Sequence, residues 1–176
     1  MSRIAAVYGA IAGSIIIASL VIGLALGADH ADHNPLIGYL IMIVALSLIF
    51  LGVKQYRDRN GCGVIKFGSA LLLGLMIALV AAVFYVGGWE AYLAATDYSF
   101  MDSYVAQTIE TKKAAGLAGE ALAKEIKNLN AMAEGYKNPV FRMGVTFLEI
   151  FPVGLVVALV SAALLRNPKV LPARAR

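Results

Sequence analysis

The chain has 176 residues, 60% of them hydrophobic, with a mean hydropathy of +0.78, whereas ordinary soluble domains are about 45–50% apolar. That excess excludes a small soluble globule and indicates a polytopic membrane protein built as one domain, residues 1–176. The formal charge of +4 comes from basic residues scattered between apolar runs, a membrane pattern and not a nucleic-acid footprint, and the single cysteine, Cys62, excludes an intrachain disulfide framework.

Four apolar runs have the length of about 18–25 residues needed to cross roughly 30 Å of hydrocarbon. The first, residues 4–27, carries no charge. Its apolar stretch exceeds the roughly 7–15 residues of a signal-peptide core, so it reads as a retained span. Gly9 to Gly13 and Gly23 to Gly27 are G-x-x-x-G spacings. Such small residues let helices approach closely, within one bundle or across a homodimer face.

The connection that follows contains DHADH. His30, His33, Asp29 and Asp32 offer nitrogen and oxygen ligands of the kind a divalent metal takes, with Glu90 or Asp97 as conceivable additions. The plainer reading is a solvated polar turn ended by Asn34-Pro35. The chain has no H-E-x-x-H motif, so a zinc protease is not supported.

The second run is residues 35–53. After it, KQYRDRNGCGVIK places Lys54, Arg57, Arg59 and Lys66 in a short loop. These cations suit anionic lipid headgroups, or simply mark the cytoplasmic side. The third run is residues 67–88, with helical character continuing toward Leu93.

Residues 98–138 read as two amphipathic helices folded into a hairpin. Ser99 and Asp102 have capping-box spacing at its start, and Gly116 and Gly119 punctuate its middle. Leu122, Ile126, Leu129, Ala133 and Tyr136 then recur at steps of four, three, four and three, which is one apolar stripe along a helix. Asn138-Pro139 ends it. The stripe either packs the hairpin on itself or the membrane surface, or docks a partner protein.

The fourth run, residues 141–165, alone holds charges, Arg142 at its start and Glu149 within it, with Pro152 three residues on from Glu149. A charged group at the centre of a span costs at least about 2.5–3.5 kcal/mol. Counting from Arg142, Glu149 lies only about 10 Å into the bilayer, in its outer third. Pro152 cannot donate to the Leu148 carbonyl, so carboxyl and free carbonyl form one polar notch. By depth, Tyr85, Trp89 and Tyr39 are the candidate partners. The notch is either helix–helix glue or a protonatable or ligand-facing group in an outward vestibule.

The lysines and arginines at 54–66 and in the tail RNPKVLPARAR, with none in the first connection, predict both termini in the cytoplasm and the hairpin outside. The fold expected is all-α: a four-helix transmembrane bundle with an extracytoplasmic helical hairpin between spans three and four.

IFLGVKQYRD at 49–58, WEAY at 89–92 and FLEIFPVGL at 147–155 resemble a family of bacterial four-span integral membrane proteins catalogued as a domain of unknown function. The resemblance extends over nearly the whole chain. It implies four spans, a long loop between the third and fourth, and a multi-pass place in the bacterial inner membrane. It implies no reaction and no cofactor. Three functions then stand in order. The first is a scaffold or accessory protein docking a partner through the hairpin. The second is a small transporter or channel subunit using Glu149, which would need a homo-oligomer. The third is a metal-dependent membrane enzyme, for which no nucleophile–base pair is evident.

Overall fold

A computed structural model of the protein describes residues 1–26 and 35–173. Among them are seven α-helices: α1 (Ser2–Ala25), α2 (Pro35–Leu46), α3 (Leu48–Asn60), α4 (Phe67–Ala95), α5 (Phe100–Ala114), α6 (Gly119–Tyr136) and α7 (Pro139–Leu165). Four stretches are long and apolar enough to cross a membrane: α1, α2 and α3 together, α4 and α7. The chain is a multi-pass membrane protein in which α5 and α6 form a hairpin between the third and fourth spans.

The helices outrun the apolar runs that identify them. The second span continues to Asn60 and the third to Ala95. Apolar length measures how much helix hydrocarbon covers, while hydrogen bonding carries the helix on into the headgroup layer. The second span also breaks at Ser47. There the Ser47 hydroxyl donates to the Val44 carbonyl at 2.6 Å, a local side-chain bond that competes with the helical ladder.

Around the bundle the order is α1, α4, α7, with the second span closing between α7 and α1. Small residues decide these contacts. A side chain at Gly13 would collide with the Ala81 carbonyl, one at Gly9 with Val80, one at Gly154 with Ala78, and one at Gly74 with Ala158. Gly9 and Gly13 therefore seat α1 on α4, and Gly154 and Ala158 seat α7 on α4. The Gly9–Gly13 spacing is thus used inside the bundle, and Gly27 of the Gly23–Gly27 spacing lies outside the described residues. With lipid on the outside as apolar as the helices themselves, such close backbone approach is what holds the spans together.

The bundle is closed at one end and open at the other. Toward the connection at residues 61–66, α3 reaches across to α4: Gly52 abuts Ile77, and Ile49 lies beside Gly74. Toward the hairpin, α2 packs chiefly on α1 and α7. That leaves a space between α2 and α4.

The hairpin turns at Gly116 and Gly119, whose φ angles of +85° and +60° favour glycine. The apolar stripe of α6 is its covered face: Leu129 is buried, and Leu122, Ile126, Ala133 and Tyr136 are half-buried. The capping box at Ser99 does not form, although the helix starts where that spacing places it. The Ser99 hydroxyl donates backward to the Thr96 carbonyl at 2.8 Å, so it is not accepting from the first turn of α5. Asn138 does cap α7. Its side-chain oxygen accepts from the Val140 amide at 2.9 Å and the Phe141 amide at 3.5 Å, with Pro139 in the first turn.

Candidate functional site

Polar side chains gather in two tiers at the hairpin end of the bundle. The first tier fastens the hairpin. The Arg142 guanidinium, on α7, donates from Nε to Glu90 Oε1 at 2.7 Å and from Nη2 to Oε2 at 2.6 Å. A third bond runs from Nη1 to the Tyr136 carbonyl at 3.0 Å. One planar fork thus joins α7, α4 and the end of α6. Arg142 is 5% exposed. Its guanidinium also lies 4.9 Å from the centre of the Tyr98 ring and 5.9 Å from that of Tyr136, within cation–π range.

Trp89 completes this tier. Its indole N–H donates to the Tyr136 hydroxyl at 2.7 Å. Its ring stacks on Tyr92 and meets Phe100 edge-on, tying α4 to α5. Burial pushes the Tyr136 phenol above its ordinary pKa, against the opposing pull of hydrogen bonds with Trp89 and Thr146. The phenol therefore stays neutral, an acceptor for the indole.

The second tier lies about 7 Å deeper, five residues back along α4. There the Tyr85 hydroxyl donates to Glu149 Oε2 at 3.2 Å. Tyr85 is 3% exposed, whereas Glu149 is exposed and borders a cavity of about 260 Å³. Ile16, Ser19 and Leu20 of α1 and Tyr39 and Met42 of α2 line the same cavity, which is the space left where α2 stands off α4. The carboxylate is not sealed between helices. It borders an apolar chamber that Ser19, Tyr39 and Tyr85 also line, apolar walls with a few polar groups as in a small-molecule site.

Of the residues singled out in the sequence, the fold brings Glu149, Tyr85 and Tyr39 to one cavity. Trp89 belongs to the first tier. Pro152 lines a separate apolar groove with Ser47 and Phe50. Arg142, two turns from Glu149 on the same helix, gives its guanidinium to Glu90. That pairing had no signal in the sequence, because the partners are 52 positions apart and each has a nearer residue of opposite charge.

The four cations at residues 54–66 have different situations. Arg57 is 0% exposed. It donates to the Val170 and Leu171 carbonyls at 2.9 and 2.6 Å and to Asp58 at 2.8 Å, so it pins the segment after α7 and does not face headgroups. Lys54 pairs with Asp58 at 2.5 Å. Arg59 and Lys66 are exposed. Asp29, His30, Asp32 and His33 lie outside the described residues. Among the described residues no group of three or more His, Cys, Asp or Glu side chains converges.

A second cavity, of about 480 Å³, adjoins the first tier. Leu93, Asp97, Tyr98, Asp102, Lys137 and Arg142 are among its walls. Asp97 and Tyr98 hold φ angles of 50° and 56°, a left-handed conformation that residues with side chains rarely adopt. Sequence reading missed this site because nothing in an Asp-Tyr pair announces a left-handed turn.

A family model described as "Protein of unknown function (DUF4199)" matches residues 7–167. No curated protein and no solved structure matches the chain.

Removing one partner of a buried ion pair leaves an uncompensated charge and costs about 3–5 kcal/mol. Glu90→Gln is therefore expected to speed amide exchange throughout α5 and α6 while α1 and α4 keep their protection. Hydrogen exchange of the purified protein checks this, and unchanged rates in the hairpin would show that the pair does not hold it.

Proposed function

The chain belongs to the DUF4199 family of proteins of unknown function, and we propose from its geometry that it is a scaffold or accessory protein of the bacterial inner membrane. In this reading it docks a partner protein where the hairpin meets the bundle. The observation that carries the reading is the cavity of about 480 Å³ beside the clamped hairpin. Two successive residues held in a left-handed conformation cost of order 1–3 kcal/mol each, and such strain concentrates at binding sites.

The charges in that cavity select the partner's chemistry. Arg142 is paired with Glu90 and Lys137 with Glu134, Lys137 also feeling the charge of Asp102 more weakly. Asp97 and Asp102 make no ion pair with any described residue. A basic side chain of the partner, above all arginine, complements them beside the half-exposed Tyr98 ring. The apolar stripe of α6 is used within the protein, so recognition rests on this cavity and on the polar faces of the hairpin.

We infer further that the hairpin is extracytoplasmic. Lys54, Arg57, Arg59, Lys66, Arg166 and Lys169 all fall at the other end of the bundle, and short basic segments mark the cytoplasmic side.

One observation favours a second reading. The Tyr85–Glu149 pair in its chamber of about 260 Å³ suits a small transporter or channel subunit in which the carboxyl takes up and releases a proton or cation.

Each reading has its test. A photo-crosslinking residue at Tyr98 is expected to yield one discrete protein adduct in membranes, lost in Asp97→Asn/Asp102→Asn. Adducts to lipid alone, or an adduct indifferent to the two aspartates, would contradict docking. Cys62 is exposed and is the only cysteine, so in intact cells it should resist a membrane-impermeant maleimide and react after lysis. Labelling before lysis would invert the topology. Glu149→Gln should keep the fold and abolish pH-dependent cation flux in liposomes if the second reading holds, and equal flux in both proteins removes it.

A further inference from the structure

At the end of the bundle opposite the hairpin, a cavity of about 480 Å³ lies between α1 and α3, lined by Arg3, Ile4, Val7, Tyr8, Ile11, Gln55 and Arg59. The helical repeat explains its build. Arg3, Val7 and Ile11 stand at four-residue steps on α1, and Gln55 and Arg59 stand one turn apart on α3. Each helix thus presents one face to the groove. The cations sit at its mouth, and the apolar residues run inward along about 12 Å of α1.

The two arginines are unspent cations; Lys66, Arg166 and Lys169 at the same end are exposed too but do not line the groove. Arg57 is turned inward onto two carbonyls, and Lys54 is held by Asp58. Arg3 and Arg59 are exposed and make no ion pair with any described residue. Val7 and Ile11 are 49% and 46% exposed, an open apolar wall directly below the charges.

We propose that this groove is a binding site for an anionic phospholipid. The lipid phosphate sits between the Arg3 and Arg59 guanidiniums, and one acyl chain lies along Ile4, Val7 and Ile11. Guanidinium matches phosphate through paired N–H donors, and the Gln55 amide adds a donor for glycerol or headgroup oxygens. A basic residue at a membrane surface gains only a diffuse attraction to anionic lipid. A walled groove with two guanidiniums over an apolar floor retains one molecule. Soluble anions satisfy the arginines and leave Val7 and Ile11 bare, so the occupant is a lipid.

Native mass spectrometry of the full chain in detergent, offered equal amounts of phosphatidylglycerol and phosphatidylcholine, tests this. One phosphatidylglycerol is expected to be retained preferentially, with retention falling about fivefold for each of Arg3→Gln and Arg59→Gln. Lys169→Gln, which removes a charge at the same end, should leave it unchanged. Both arginines are exposed, and an unaltered melting temperature confirms that the variants fold. Equal retention of the two lipids, an equal loss in Lys169→Gln, or displacement by millimolar inorganic phosphate would each overturn the assignment.

Discussion

The fork of hydrogen bonds between Arg142 and Glu90 sets the geometry of everything at its end of the molecule. It joins α7 to α4, and its third donor holds the end of α6 through the Tyr136 carbonyl. Besides it, the hairpin meets the spans through two short turns and the contacts of Trp89 with Tyr136 and Phe100. With it, Trp89 is brought onto Tyr136, Tyr98 onto the guanidinium, and the cavity between hairpin and bundle acquires fixed walls. A buried ion pair is weak evidence for net stability, because desolvation offsets much of the attraction. Its contribution here is orientation: one arrangement of three helices satisfies every donor of the guanidinium that faces inward.

The spans themselves obey a different constraint. No hydrophobic driving force separates helix from lipid, so shape decides, and Gly9, Gly13, Gly74 and Gly154 let α1 and α7 come close to α4. The second span cannot do the same along its whole length. It packs across to α4 below the break at Ser47 and stands off above it. The chamber holding Glu149 follows from that divergence. A carboxyl is tolerated there because it has a hydroxyl donor in Tyr85 and because the helices do not close over it.

Much of this was legible in the sequence, and the physical reasons separate what was from what was not. Hydropathy located the four spans, since twenty apolar residues in a row have few other uses. The four-and-three spacing of Leu122 to Tyr136 located the covered face of α6. Glu149 stood out as the one acidic residue in an apolar run. Local rules read less well where a side chain had two possible partners. Ser99 had the spacing of a cap but bonded backward to Thr96. Arg57 looked like a headgroup cation but turned inward to carbonyls more than a hundred residues away. Arg142 served in the sequence to measure the depth of Glu149, and its partner proved to be Glu90 on another span. In each case the decisive contact is made by another span, and no periodicity within one segment encodes it.

The central claim is that the hairpin is held rigidly on the bundle by the Arg142–Glu90 pair. In a Cys62→Ser background, spin labels at Lys124→Cys on α6 and Gly87→Cys on α4 report that geometry directly; both positions are exposed. Pulsed electron–electron distance measurement in lipid nanodiscs should give a single narrow distribution that broadens when Arg142→Gln is added. A broad distribution in the parent protein, or a narrow one that Arg142→Gln leaves unchanged, would contradict the account.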